Sequence, residues 1–180
     1  LTRQIAALGP SRLVMFDASE YNLYQIDFEI AAAYPALDQP TVLGDVRDRI
    51  RLDAVFARYE PELVFHAAAL KHVPMVEQNP LEGILTNTVG SRNVADACRD
   101  AGVRMMVQIS TDKAVNPSSI MGATKRLAEG YAQALDLAAG ERRQTRFVTV
   151  RFGNVLGSTG SVVPLFQKQI AAGGPVTVTH

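Results

Sequence analysis

Asp112 and Lys113 stand side by side where an apolar run, Met105–Ser110, gives way to a turn. A carboxylate and an ammonium at short range shift each other's proton affinity. A coupled pair of this kind can share acid and base duties on one substrate. Ser110 and Thr111, just before them, supply two hydroxyls. Lys125 opens the next helical stretch and adds a cation from a second direction. Met121, at the position four before Lys125, is a thioether and can neither take nor give a proton. Asp112 and Lys113 are therefore the candidate acid–base groups of this stretch. A plain surface ion pair is the competing reading.

Such groups need elements to aim them. "RLVMFD" (Arg12–Asp17), "TVLGD" (Thr41–Asp45), "LVFHAAA" (Leu63–Ala69), "MMVQIS" (Met105–Ser110) and "RFVTVRFG" (Arg146–Gly153) read as short apolar strands. Helical patterns separate them. Ser19 caps a helix from Glu20 to about Ala33, and Asp48 caps one ending near Tyr59, before Pro61. A long helix runs from about Pro80 to Asp100 and stops at Gly102. Another spans Met121–Ala138, a last one about Val163–Ala172, and "PVTVT" reads as a closing strand. Strands alternating with helices predict βαβ units: a parallel sheet with right-handed crossovers and helices on both faces.

In such sheets ligands bind at the carboxyl ends of the strands, so the strand ends are the places to inspect. Asp17 is placed to accept hydrogen bonds from an adenine ribose and to repel a 2′-phosphate, which favours NAD over NADP; helix capping is the alternative. Asp45 can meet the adenine amino group, or be an ordinary turn acid. Ala67, Ala68 and Ala69 let a flat cofactor come close, although helix packing explains alanines equally well. His66 reads as a satisfied structural histidine. His72 lies in a loop, and Lys71 beside it is a candidate for phosphate or sugar. No His, Cys or acid set has metal-ligand spacing, so no metal site is expected.

The 180 residues suffice for one domain with a core, at 47% hydrophobic composition and zero formal net charge. Without a basic stripe, nucleic acid is not an expected partner. The single cysteine, Cys98, rules out an internal disulfide framework and reads as a small buried apolar residue. No apolar run reaches the roughly 18 residues of a membrane span, and no secretory signal is visible. This stretch is thus expected to make no membrane contact and to lie in the cytoplasm.

Taken in order, "LVMFDASEYNLY", "FHAAALKHVPMVEQNP", "STDKAVNPSSIMGATKR" and "RFGNVLGSTGSVVPLF" resemble the nucleotide-sugar 4,6-dehydratases of bacterial polysaccharide and protein-glycan synthesis, within the extended short-chain dehydrogenase/reductases. The resemblance covers essentially the whole chain. It implies a Rossmann-type fold, NAD as cofactor and UDP-N-acetylglucosamine as substrate. The product would be a 4-keto-6-deoxy sugar. These enzymes commonly carry a tyrosine base where Met121 stands; a membrane-anchored subgroup carries Met, and this chain is similar to that subgroup. On this footing Asp112 is the acid toward the C6 hydroxyl and Lys113 the base at C5. Thr111 or Ser110 holds the sugar O4, and the O4 proton goes to Asp112. Lys125 hydrogen-bonds the nicotinamide ribose, and Met121 forms an apolar wall beside it. Asn87 lies near the active site or on a helix surface. Asn154 begins the loop that holds the UDP-sugar, or sits in a tight turn. A homo-oligomer is expected.

The resemblance divides the chain into a dinucleotide-binding part, 1–153, and the start of a substrate-binding part, 154–180. It also implies that a first strand and glycine-rich turn lie ahead of Leu1. That strand would sit between Arg12–Asp17 and Leu63–Ala69, leaving two sheet edges exposed. The chain as given is therefore expected to be a weak NAD binder and a poor catalyst. Two rival readings remain: a UDP-sugar 4-epimerase on the same scaffold, and a non-catalytic nucleotide-sugar-binding domain.

Overall fold

The computed structural model describes residues 1–140, 145–153 and 162–176. Five strands and eight α-helices follow one another: α1 (Thr2–Ala7), β1 (Met15–Asp17), α2 (Glu20–Ala33), β2 (Thr41–Leu43), α3 (Arg49–Tyr59), β3 (Leu63–His66), α4 (Val73–Gln78), α5 (Pro80–Gly83), α6 (Ser91–Asp100), β4 (Met105–Thr111), α7 (Ile120–Ala138), β5 (Arg146–Phe152) and α8 (Val162–Ala171). A π-helical segment, Ile84–Gly90, joins α5 to α6, and a 3₁₀ turn, Asp112–Ala114, follows β4. The fold is α/β with every strand pairing parallel.

The strands form two ladders, β1–β2 and β3–β4–β5. Among the described residues no strand of one ladder pairs with a strand of the other. The five strands keep their expected positions; β1, β2, β3 and β5 are shorter than expected, while β4 runs one residue further, to Thr111. Arg12 makes only an isolated bridge to Asp38 ahead of β1, and the chain leaves β3 at His66 before the alanines. The closing strand "PVTVT" falls largely outside the described residues.

Local chemistry explains most boundaries. Ser19 accepts a hydrogen bond from the Asn22 amide and starts α2; Asp48 does the same for Arg51 and starts α3. Gly102 follows α6 with φ +67°, a left-handed conformation that glycine adopts without a Cβ clash. Residues 73–78, given no element in the sequence analysis, form α4 with Pro74 in its first turn. The expected long helix Pro80–Asp100 is a continuous helical run, widened into a π segment at its middle.

Along β4, burial alternates. Met106, Gln108 and Ser110 point inward against α6 and α7. Leu63 and Phe65 of β3, and Val150 and Phe152 of β5, stay exposed on the opposite face. The main core joins Val46, Leu52, Phe56, Val94, Met106 and Phe147. Cys98 belongs to it, with no exposed surface, and burial pushes its thiol up to about 12. A second cluster of Ala6, Met15, Leu23 and Ile30 fixes α1 and α2 beside β1. No helix among the described residues is long and apolar enough to cross a membrane.

Candidate active site

The end of β4 carries Asp112 and Lys113, the expected acid–base pair. Thr111 Oγ1 accepts from the Lys113 amide (3.3 Å) and donates to Asp112 Oδ1 (2.9 Å), folding the 3₁₀ turn around its own side chain. Lys113 Nζ donates to the same Asp112 oxygen at 3.2 Å. The Thr111 hydroxyl first, and Lys113 second, hold the Asp112 carboxyl below the usual carboxylate range. Asp112 is therefore a carboxylate at neutral pH and a proton acceptor in this state. Both side chains face solvent. β5 runs alongside with Thr111 opposite Phe152. Gly153 then lies so near Asp112 that a β-carbon on it would be 3.5 Å from Oδ2.

Helix α7 arrives against this turn. Ser119 Oγ accepts from the Gly122 amide at 3.1 Å, and Glu77 Oε1 of α4 accepts from the Ile120 amide at 2.6 Å. A carboxylate at a helix N-terminus satisfies an otherwise unpaired N–H and complements the helix dipole. Met121 is buried within this first turn. Lys125 is buried too, with Nζ donating to the Ile109 carbonyl at 2.6 Å. Burial pulls its pKa down to about 8, while the Glu129 charge works the other way.

Asn87 is fully buried, not on a helix surface. Its Oδ1 accepts from the Leu70 amide at 2.8 Å, and its Nδ2 donates to the Leu70 carbonyl and to Thr124 Oγ1. Thr124 in turn donates to the Met121 carbonyl at 2.8 Å. Asn87 thus links the loop after β3 to the first turn of α7 and keeps exposed Lys71 beside a pinned backbone. The π segment has its own bond here: Ser91 Oγ donates to the Asn87 carbonyl at 2.7 Å. His66 Nε2 pairs with Ser91 Oγ at 2.8 Å. Burial, then the Lys125 charge, lowers the His66 pKa to about 3, which keeps the imidazole neutral.

The strand ends on the other ladder are more committed than the sequence suggested. Asp17 ends β1, and its Oδ1 accepts from the Ser19 amide at 2.7 Å, the helix-entry arrangement that competed with the cofactor reading. Asp45 is clasped by Arg47, whose guanidinium also reaches Glu82. That clasp, against a smaller effect of burial, holds Asp45 below its usual pKa. Ala67 and Ala68 are exposed and Ala69 is half-buried. Asn154 lies outside the described residues. The structure thus brings Ser110, Thr111, Asp112, Lys113, Met121 and Lys125 together around the end of β4. Asn87 stands behind them, and Asp17 and Asp45 sit on the neighbouring ladder.

Several residues around this centre escaped the sequence reading. Gln108 is buried in β4 with neither side-chain group hydrogen-bonded; the expected Ser110, two residues on, has an Oγ without a bond of full geometry although it lies near the Glu129 carboxylate. Glu129 sits on the buried stripe of α7 with Met121, Lys125, Ala128 and Ala132. A charged residue at a core position of an amphipathic helix is a readable signal. Glu77 and Thr124 carry no comparable local signal.

The chain is a parallel α/β fold with paired ionisable groups at a strand end and a buried lysine in the following helix. The family model described as "polysaccharide biosynthesis protein" matches residues 1–180, and the chain belongs to that family. It is 46% identical, over its whole length, to the capsular polysaccharide biosynthesis protein CapD of Staphylococcus aureus, of which it spans 30%. It is 43% identical over 95% of its length to a UDP-N-acetylglucosamine 4,6-dehydratase (inverting) of Campylobacter jejuni, spanning 50% of that protein. Among solved structures, Pen from Bacillus thuringiensis superposes with a TM-score of 0.90 at 35% identity, covering 99% of this chain and 55% of that one. The chain therefore spans half or less of these two curated relatives.

Proposed function

We propose that the protein is an NAD-dependent 4,6-dehydratase of a UDP-N-acetylhexosamine, with UDP-N-acetylglucosamine as substrate, serving surface polysaccharide or glycan synthesis. The observation that carries this reading is the Thr111–Asp112–Lys113 turn, an acid–base pair presented to solvent beside the buried Lys125. A 43% identical relative bearing the dehydratase name supports it. The residues fit a bound dinucleotide in part. Asp17 would meet the adenine ribose, and Ala67 to Ala69 would let the cofactor lie close. Lys125, with one N–H on Ile109, retains donors for the nicotinamide ribose. Asp45 would reach adenine only beside Arg47.

NAD, if bound, would supply the hydride exchange between C4 and C6. The rest falls to the chain. Asp112, ionised at rest, takes the O4 proton that Met121 cannot, while Thr111 or Ser110 orients O4. Once protonated, Asp112 is the acid that delivers a proton to the departing C6 hydroxyl. Lys113 is the base that takes the C5 proton, and it returns that proton to C5 when the hydride arrives at C6. Thr111 serves both steps by fixing the Asp112 carboxylate. Lys71 and Asn154 would contact phosphate or sugar, with Asn87 holding the Lys71 loop.

The wider reading has residues 1–153 binding the dinucleotide and 154–180 beginning the sugar-binding portion. It takes the parent to be a homo-oligomer whose catalytic part faces the cytoplasm from a membrane anchor. The test is incubation of the complete protein with NAD and UDP-N-acetylglucosamine, followed by mass spectrometry. A product lighter by one water is expected. An epimer of unchanged mass, or no product, would overturn the reading.

A further inference from the structure

We infer that Glu129, clamped by Arg151 and Arg126 one helical turn beyond Lys125, is a positioning residue that maintains the positive charge of Lys125. The inference rests on Lys125 serving the hydride chemistry proposed above. Lys125 and Glu129 are both on the buried stripe of α7, and the Glu129 side chain is only 4% exposed. Arg151 reaches it from β5, Nε to Oε1 at 2.8 Å and Nη2 to Oε2 at 2.5 Å. Arg126 adds a contact at 3.3 Å. Arg151 stands opposite Ser110 in the ladder, and the preceding residue, Ile109, gives its carbonyl to Lys125. One buried carboxylate therefore ties α7 to β5 beside the main-chain group that holds the lysine.

A buried carboxylate is costly unless paired and hydrogen-bonded. Burial works to raise the Glu129 pKa, but Arg151, Ser110 and Arg126 outweigh it and hold the carboxyl below its usual range. Glu129 therefore keeps its charge throughout the neutral range. Several elements packed against α7 carry charged or titratable groups: α4 carries Glu77 on the Ile120 amide, and α6 carries Asp96 on Tyr131. β3 contributes His66, kept neutral, and β5 contributes Arg151. The 3₁₀ turn contributes Asp112 and Lys113, which compensate each other, and α7 itself contributes Arg126 and Glu129. Among these, Glu129 is the anion that opposes the burial of Lys125. Gln at position 129 would keep the shape and lose the charge, leaving two guanidinium groups uncompensated nearby.

The test uses the complete protein carrying [ε-¹³C]lysine, with the Lys125 signal assigned by its loss in Lys125→Arg. In Glu129→Gln the titration midpoint of Lys125 is expected to move to lower pH by about one unit, the scale of a nearby opposite charge. Glu129→Asp is expected to restore it in part. The basic limb of the turnover profile should move with it. An unshifted Lys125 midpoint in a folded Glu129→Gln protein overturns the inference. Should that variant not fold, Arg126→Gln, at an exposed position, tests the opposite sign: the midpoint rises, or the inference fails. Because the titration needs no turnover, absence of a dehydrated product would refute the proposed reaction without touching this result.

Discussion

Gly122 lies directly against the carbonyl of Lys113: a β-carbon built on it would stand 2.3 Å from that oxygen. The contact sets the distance between the first turn of α7 and the acid–base turn. Because the obstacle is main chain, no side-chain rotation relieves it. Gly122→Ala is expected to destabilise the protein by about 1–3 kcal/mol, the usual cost of overpacking. It should also depress turnover by about 10²-fold, as for small displacements of reacting groups. Thermal unfolding and kcat on the same preparation check both. A fully active Gly122→Ala enzyme would show that this spacing is irrelevant to catalysis.

Asp112→Asn and Lys113→Ala should each lower dehydration by about 10² to 10⁴, with NAD affinity retained, since neither residue is among those assigned to the dinucleotide. Product formation and calorimetric NAD titration, run on the complete protein, separate the two effects. Near-normal turnover in either variant removes that residue from the mechanism.

Lys125→Ala should be more damaging than Met121→Ala. The thioether contributes packing alone, whereas the ammonium contributes charge and donors near the cofactor. Single-turnover hydride transfer, followed by absorbance, gives the ranking; the reverse order would contradict the role given to Lys125.

Gln108 presents a different expectation. Its amide is buried with neither group paired, and an unsatisfied buried polar group costs about 1–3 kcal/mol. Gln108→Leu, similar in size, should therefore raise the melting temperature, by about 2–4 °C for each kcal/mol gained. A lower melting temperature would mean that an ordered water satisfies the amide.

His66 predicts an acid-side slope in stability. Its folded pKa, about 3, lies below the unfolded value of 6.5. Between those values the unfolded chain binds a proton that the folded chain does not, so stability falls as pH falls through this window. The slope from this residue is at most about 1.4 kcal/mol per pH unit. Denaturant unfolding of wild type and His66→Gln from pH 7 to 4 should show a shallower slope in the variant. Parallel curves would mean that His66 takes a proton in the fold more readily than its burial implies.

What the sequence disclosed was local. Ser19 and Asp48 cap their helices through bonds spanning three residues, so a short window contains the whole signal. Apolar runs gave the strands, and a turn after β4 gave Asp112 and Lys113 their contact. Longer-range features were hidden. Glu77 caps α7 across 43 residues, and nothing near Glu77 announces a helix that distant. Asn87 turns inward within a π segment, so a regular helical wheel misplaces it. Asp45 looked available to a ligand because Arg47, its neighbour, was not read as its partner. Glu129 was legible in principle, as a charge on the buried stripe of α7, but its meaning needed Arg151 from another strand.

Cys98 gives the protein an internal stopwatch. It is the chain's single cysteine, sealed between α6 and the β4–β5 ladder, where Thr145 Oγ1 donates to its carbonyl at 3.3 Å. With its thiol pushed up to about 12, the reactive thiolate is scarce at neutral pH and the sulfur is out of a reagent's reach. Alkylation must wait for the helix to lift from the sheet, so the labelling rate times that opening event. Strands and helices that bury Cys98 are those that aim Asp112 and Lys125. One thiol reagent therefore reads, without substrate or cofactor, how often the catalytic frame comes apart.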